Sequence, residues 1–283
     1  MKKNILFLFV FLFCAFASGK EDIVKRETIR KDIALSGPVS TRTVVVDNVF
    51  GSVAVRGVAG NQVRLTAEKI FKAESDEELA KAVQEVHLDV TEGKEGVKII
   101  VDGPFRREDG SVHFHGRDRE GYSFSYDFVI EVPSNAKIDV STINDGDISV
   151  SGMRGDFDVE NINGGIEMSG MDGSGKAYAL NQDLTVRFSR NPEKHCYFGS
   201  LNGKVKIYFQ SPLSADLRFK TFNGEVFSDF PVTYLPRKGL LEKGTKNGKT
   251  TYKTDPWTPV RVGEGGPSID LDGFNGDMYV LKQ

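Results

Sequence analysis

From Arg42 onward the chain alternates β-branched or aromatic residues with polar ones, the period-two pattern of strands with one buried face. The pairs Val44/Val46, Val53/Val55, Val63/Leu65 and Leu88/Val90 and the triplet Val97/Ile99/Val101 mark successive strands. The cleanest run is Tyr122 to Phe128, which continues through Ile130 and Val132 until Pro133 closes it. One segment departs from the pattern. Ser75-Asp76-Glu77-Glu78 has the form of a capping box, and Leu79, Val83 and Val86 follow on one helical face, which predicts a single short helix laid on the sheet. Its acidic first turn suits the positive end of a helix dipole. Between Asp102 and Gly121 the chain is rich in Gly, Arg and Asp, which predicts a polar loop or exposed hairpin.

From Ile138 the pattern becomes repetitive. Asn144-Asp145-Gly146-Asp147-Ile148, Asn163-Gly164-Gly165-Ile166, Asn202-Gly203-Lys204-Val205, Asn223-Gly224-Glu225-Val226 and Asn275-Gly276-Asp277-Met278 share one form: Asn, a glycine-containing turn, then an apolar residue that opens a strand. Asn181-Gln182-Asp183-Leu184 is a copy without its glycine. Neighbouring copies lie 19, 18, 21 and 21 residues apart, and a long gap precedes the last. A half-period is visible as well, with Gly146, Gly155 and Gly165 each preceding a short alternating strand. A chain that corners every nine or ten residues is expected to need residues tolerant of positive φ at each corner, as Asn and Gly are. One such unit cannot bury its apolar face alone, and stacked units can.

The predicted fold is therefore all-β: a β-solenoid-like stack of short strands with Asn-Gly turns and one short helix in the N-terminal half. A sandwich of Asn-Gly hairpins is the alternative, and the regular spacing favours the stack. Around residues 235–267 the repeats are interrupted by a Lys-rich hairpin insert expected to turn at Asn247-Gly248. The strand series, the acidic helix segment Ser75 to Val86 and an export signal together resemble the bacterial putative-adhesin family of unknown function, related to the GIN-type adhesin head domains. The resemblance covers roughly Thr41 to Leu281, and the Lys-rich insert departs from it. It implies a β-solenoid-like fold and an envelope or surface location, and it carries no catalytic residues over.

The export signal is read from Met1-Lys2-Lys3-Asn4 followed by the uncharged run Ile5 to Ala17. This run is short for a membrane span. Ala15 and Ala17 place the preferred cleavage before Ser18, so residues 1–17 are read as a signal peptide, 18–40 as a leader and 41–283 as one adhesin-type domain. Lipidation of Cys14 is the rival outcome, opposed by bulky Phe11 and Phe13. After cleavage Cys196 is the sole cysteine, which excludes an internal disulfide and a cysteine zinc cluster. Taking Lys2 and Lys3 from 37 basic residues leaves 35 against 40 acidic ones, a net charge near −5 without long runs of either sign. That argues against nucleic acid and anionic membrane surfaces as partners.

Candidate chemistry adds little. Arg154-Gly155-Asp156 spells an integrin-type tripeptide, but the repeat already places Gly155 at a corner. His113 and His115 would share one face of a strand without an identifiable third ligand, and His195 adjoins Cys196. Asp145/Asp147 and Asp270/Asp272 match no calcium loop and are expected to serve turns. Trp257, between Pro256 and Pro259, suits either a sugar-stacking platform or a cap over the end of the stack. Phosphate loops, dinucleotide fingerprints and nucleophile elbows are absent from the sequence. No catalytic, cofactor-binding or metal-ligating residue is assigned. The sequence reads as a non-enzymatic exported binding or structural module, periplasmic, at the cell surface or extracellular. Its expected ligand is a surface, a polysaccharide, an envelope protein or a second copy of itself. A carbohydrate-active hydrolase or lyase on a β-helix is the alternative, to be favoured by a groove lined with acidic pairs and aromatics.

Overall fold

The computed structural model describes residues 22–113, 121–236, 242–246, 249–253 and 255–283. The segment read as a signal peptide, Cys14, His115 and the expected turn at Asn247-Gly248 lie outside the described residues. The chain order begins with β1 (Ile23–Ala34), β2 (Thr43–Asp47), β3 (Val53–Val58), β4 (Gln62–Ala73), α1 (Asp76–Glu85), β5 (His87–Gly93), β6 (Gly96–Asp102) and β7 (Tyr122–Pro133). A run of short strands follows: β8 (Lys137–Thr142), β9 (Ile148–Ser151), β10 (Phe157–Asn161), β11 (Ile166–Met171), β12 (Gly175–Ala179), β13 (Leu184–Phe188), β14 (Cys196–Ser200), β15 (Val205–Phe209), β16 (Ala215–Lys220) and β17 (Val226–Ser228). The chain closes with β18 (Val232–Tyr234), β19 (Glu242–Lys246), β20 (Lys249–Lys253), β21 (Thr258–Val262), β22 (Ser268–Gly273) and β23 (Met278–Lys282). Part of the segment read as a leader is thus β1, a twelve-residue strand paired along its length with β4.

Two large mixed sheets carry the fold. One runs β1-β4-β7-β3-β9-β11-β13-β15-β23-β17, the other β18-β21-β16-β22-β14-β12-β10-β8-β2-β6-β5. From β8 to β15 successive strands alternate between the sheets, and each pairs in parallel with the strand two places along. One repeat is therefore one circuit of the chain, with a strand in each sheet and a corner between. Inward-facing residues such as Val159, Met168, Val186, Phe198 and Ile207 belong to one cluster of buried side chains that extends from Ile33 to Val280. The expected stack of turns is not uniform. Antiparallel strands flank the parallel centre (β1, β4 and β7 in the first sheet; β5 and β21 in the second), and both sheets are open.

The asparagines meet at one corner as a ladder. Asn163 donates to Asn144 at 2.5 Å, Asn181 to Asn163 and Asn202 to Asn181 at 2.8 Å, Asn275 to Asn202 at 2.7 Å and Asn223 to Asn275 at 2.8 Å. The order shows that the last copy in sequence is not the last in space. Strands β22 and β23 enter between β14 and β16 and between β15 and β17, so the chain after Asn223 loops out and returns inside its own stack. The residue before each ladder Asn is apolar, and in the last two rungs Phe274 and Phe222 stack with centroids 5.0 Å apart.

The corner glycines serve a different purpose from the one expected. Gly146, Gly164, Gly203, Gly224 and Gly276 do not have positive φ. They sit where backbones of adjacent turns touch: a Cβ on Gly203 would lie 2.0 Å from the Gln182 carbonyl oxygen, and one on Gly276 would lie 1.8 Å from that of Gly203. Close approach, not left-handed backbone, selects glycine here. Inside the corner a polar side chain three residues earlier completes the turn, as when Asn161 Oδ1 accepts from Gly164 N–H and Ser200 Oγ from Gly203 N–H.

Helix α1 starts as expected, with Ser75 Oγ accepting from Glu78 N–H at 3.3 Å. The reciprocal half of the box is missing: Glu78 turns toward Gly121, and its buried Oε2 has no hydrogen-bond partner among the described residues. Ala82 and Val86 are fully buried, and Leu79 and Val83 pack on the same core.

Candidate functional site

Period-two alternation puts half the residues of β8, β10, β12, β14, β22 and β16 on the outer face of the second sheet, and parallel, in-register pairing sets them in rows. One row reads Asp139, Asp158, Lys176, Tyr197, Asp270, Arg218. The next reads Ser141, Glu160, Tyr178, Gly199, Asp272, Lys220. A solvent-open groove of about 860 Å³ lies across the middle of these rows, lined by Phe157, Asp158, Glu160, Lys176, Tyr178, His195 and Tyr197.

The aromatic floor is held in place from one side. Tyr178 and Tyr197 stack with centroids 6.4 Å apart and planes 27° from parallel. Tyr197 Oη donates to Asp272 Oδ2 at 2.9 Å, and burial together with that bond pushes its phenol pKa up, so it stays protonated. The Tyr178 ring lies across Gly199, where a Cβ would come within 2.7 Å of two ring carbons. A larger residue at 199 would tilt the ring off the sheet.

Charge divides the outer face into two ends on either side of the groove. At one end Arg218 grips Asp270 through two hydrogen bonds, the Nε–Oδ1 bond at 2.7 Å, and His195 Nε2 approaches the same carboxylate at 3.2 Å. Burial alone would raise Asp270, but the bonds from Arg218 and His195 outweigh it and hold the carboxyl below its ordinary range. Lys220 pairs with Asp272 at 3.0 Å. Trp257 extends this end: the Arg218 guanidinium lies 5.1 Å and the Lys220 ammonium 5.7 Å from its ring centroid. The residue therefore joins the outer face as a flat surface beside two cations rather than plugging the stack.

At the other end carboxylates gather. Asp139 and Asp158 face each other on adjacent strands, and both carboxyls are raised, first by burial and then by neighbouring acids that include Glu160. Lys176 bonds Glu160 as the local counter-charge.

Other candidates take structural roles. Gly155 packs on the Ala136 carbonyl and Asp156 pairs with Lys194, so the integrin-type tripeptide forms part of a corner. Asp145 has φ of 58° and Asp147 accepts from Gly165 N–H at 2.7 Å, which are turn uses. Cys196 is buried and its thiol is pushed up to about 11 by burial, which makes it a packing residue. His113 is exposed. Ligand atoms suited to a metal converge elsewhere, at His87, Asp89 and Asp102.

No family model matches the chain, and no curated protein matches it in sequence. Its fold is similar to that of a putative cell adhesion protein from Clostridium sporogenes, at 11% identity and a TM-score of 0.45 over 92% of this chain and 100% of that one. It is also similar to a putative adhesin from Bacteroides fragilis, at 9% identity and a TM-score of 0.38 over 91% and 97% of the two chains. A third similar structure is a putative lipid binding protein from Parabacteroides distasonis, at 9% identity and a TM-score of 0.31 over 90% and 96%.

Proposed function

We propose that this protein is a non-enzymatic, exported binding module of the adhesin type, a single solenoid-like domain that includes β1 as well as the repeats. Its outer face holds an extended, hydroxyl-rich polymer such as an envelope or surface polysaccharide. The observation that carries this reading is the Tyr178–Tyr197 floor set between carboxylates in an open groove. Tyrosine faces stack on the apolar faces of sugar rings, and flanking carboxylates accept hydrogen bonds from ring hydroxyls. An open groove along the strand rows admits a chain that continues past both ends.

The outer face also has a feature of the enzymatic alternative, since Asp158 at the groove and Asp139 on the adjacent strand are neighbouring acids with raised carboxyls. One experiment separates the two readings. Purified protein is titrated with a panel of bacterial and host polysaccharides by affinity electrophoresis, and the products are assayed for new reducing ends. Retention without cleavage, weakened about tenfold in Tyr197→Ala, an effect of about 1.4 kcal/mol, supports binding. Cleavage abolished by Asp158→Asn would establish the enzyme, and retention unchanged in Tyr197→Ala would move the site off this face.

A further inference from the structure

We propose that His87, Asp89 and Asp102 form a binding site for a divalent transition metal of the zinc class, at β5, the edge strand of the second sheet among the described residues. The site is built by strand pairing. Leu88 and Val90 pack on the core, so His87 and Asp89 point outward from β5, and the antiparallel register sets Asp102 of β6 directly opposite His87. The ligand atoms of all three lie within 4.8 Å of one another.

The distances suit shared coordination better than direct pairing. His87 Nε2 lies 3.5 Å from Asp89 Oδ1 and 3.9 Å from Asp102 Oδ2, both longer than an N–H···O hydrogen bond. Zinc bonds of about 2.0–2.2 Å to nitrogen and oxygen place neighbouring tetrahedral ligands about 3.3–3.6 Å apart, so small side-chain rotations bring the three groups onto one ion. Asp102 is oriented for this. Its Oδ1 accepts from Gly103 N–H at 2.8 Å and faces Arg106, which is itself fixed by Asp47 at 2.7 Å, and this leaves Oδ2 turned to His87. Such outer bonds commonly fix metal-ligating carboxylates. Side-chain exposures of 53%, 53% and 37% leave room for water or a ligand group in a further position. One imidazole with two carboxylates favours zinc-like ions over calcium or magnesium, which take oxygen ligands in larger number.

The test uses full-length protein without a polyhistidine tag, stripped with chelator and titrated with Zn²⁺ by calorimetry, with Co²⁺ absorption as a direct reading of ligation. The expected result is saturation at one equivalent, with affinity reduced at least about tenfold in His87→Ala and in Asp89→Asn. Both residues are exposed, and the melting temperature of each metal-free variant checks that the fold is intact. No saturable uptake by the wild type, or uptake unchanged in His87→Ala, would overturn the proposal and leave the triad as a histidine held between two carboxylates.

Discussion

At the scale of single residues, two kinds of polar contact can be told apart by experiment. Each interior ladder asparagine spends its amide twice: Asn181 donates to Asn163 and accepts from Asn202, whereas Asn223 at the end makes one ladder bond. At about 0.5–1 kcal/mol net for each solvent-accessible bond, Asn181→Ala is expected to cost about 1–2 kcal/mol and Asn223→Ala about half of that, read from urea midpoints. Equal losses would mean that the ladder bonds do not act rung by rung. Asp270 works through charge instead. Its native carboxyl is held below its ordinary value, so the folded state takes up the proton less readily than the unfolded chain. The resulting stabilisation is present above the unfolded pKa of about 3.9 and is lost as pH falls through the native value. Arg218 is 43% exposed, which screens the pair, and Asp270→Asn is expected to cost about 1–2 kcal/mol at pH 7. The gap between variant and wild type should close as pH falls below about 4. A gap that stays constant over that range would assign the loss to packing.

At the scale of elements, legibility followed locality. The helix from Asp76, the alternating strands and the corner positions were readable because each depends on residues close in sequence, as with Ser75 and Glu78 or Asn161 and Gly164. The reason for the corner glycines was misread because it lies between turns: the Gln182 carbonyl that excludes a side chain from Gly203 is 21 residues away in sequence. The groove on the outer face was hidden for the same cause. Tyr178, Tyr197 and Asp272 come from three strands, and alternation marks each only as outward-facing. His87-x-Asp89 carried a usable local signal, two ligand types on one face of a strand. The opposing Asp102 required the hairpin register. The Lys-rich hairpin is the reverse case, local and self-contained, since β19 and β20 pair with each other in a separate sheet.

At the scale of the whole molecule, the decisive feature is the return of the C-terminus into the stack. Strands β22 and β23 hydrogen-bond to a neighbour on both sides, and Ile269, Leu271, Met278 and Val280 are fully buried. Four such side chains at about 1.5–3 kcal/mol each contribute about 6–12 kcal/mol, comparable to the entire stability of an ordinary domain. Their partners are also distant: Arg218 meets Asp270 across 52 residues, so β16 cannot pair with β22, nor β17 with β23, until the segment after Asn223 has looped back. Loop closure of that length must precede the contacts that reward it, which makes folding slow and late. Removal of residues 268–283 is therefore expected to abolish cooperative unfolding and yield an aggregation-prone chain, because β14 and β16 would lose the strand between them. Replacing residues 242–253 with a Gly/Ser linker should leave the melting temperature within a few degrees of wild type, although it removes a segment of similar length. Circular dichroism melting of the two variants reads the contrast. A truncated chain that still melted cooperatively would show that β14 and β16 can close on each other, and that the intercalated turn is an addition to the stack rather than its keystone.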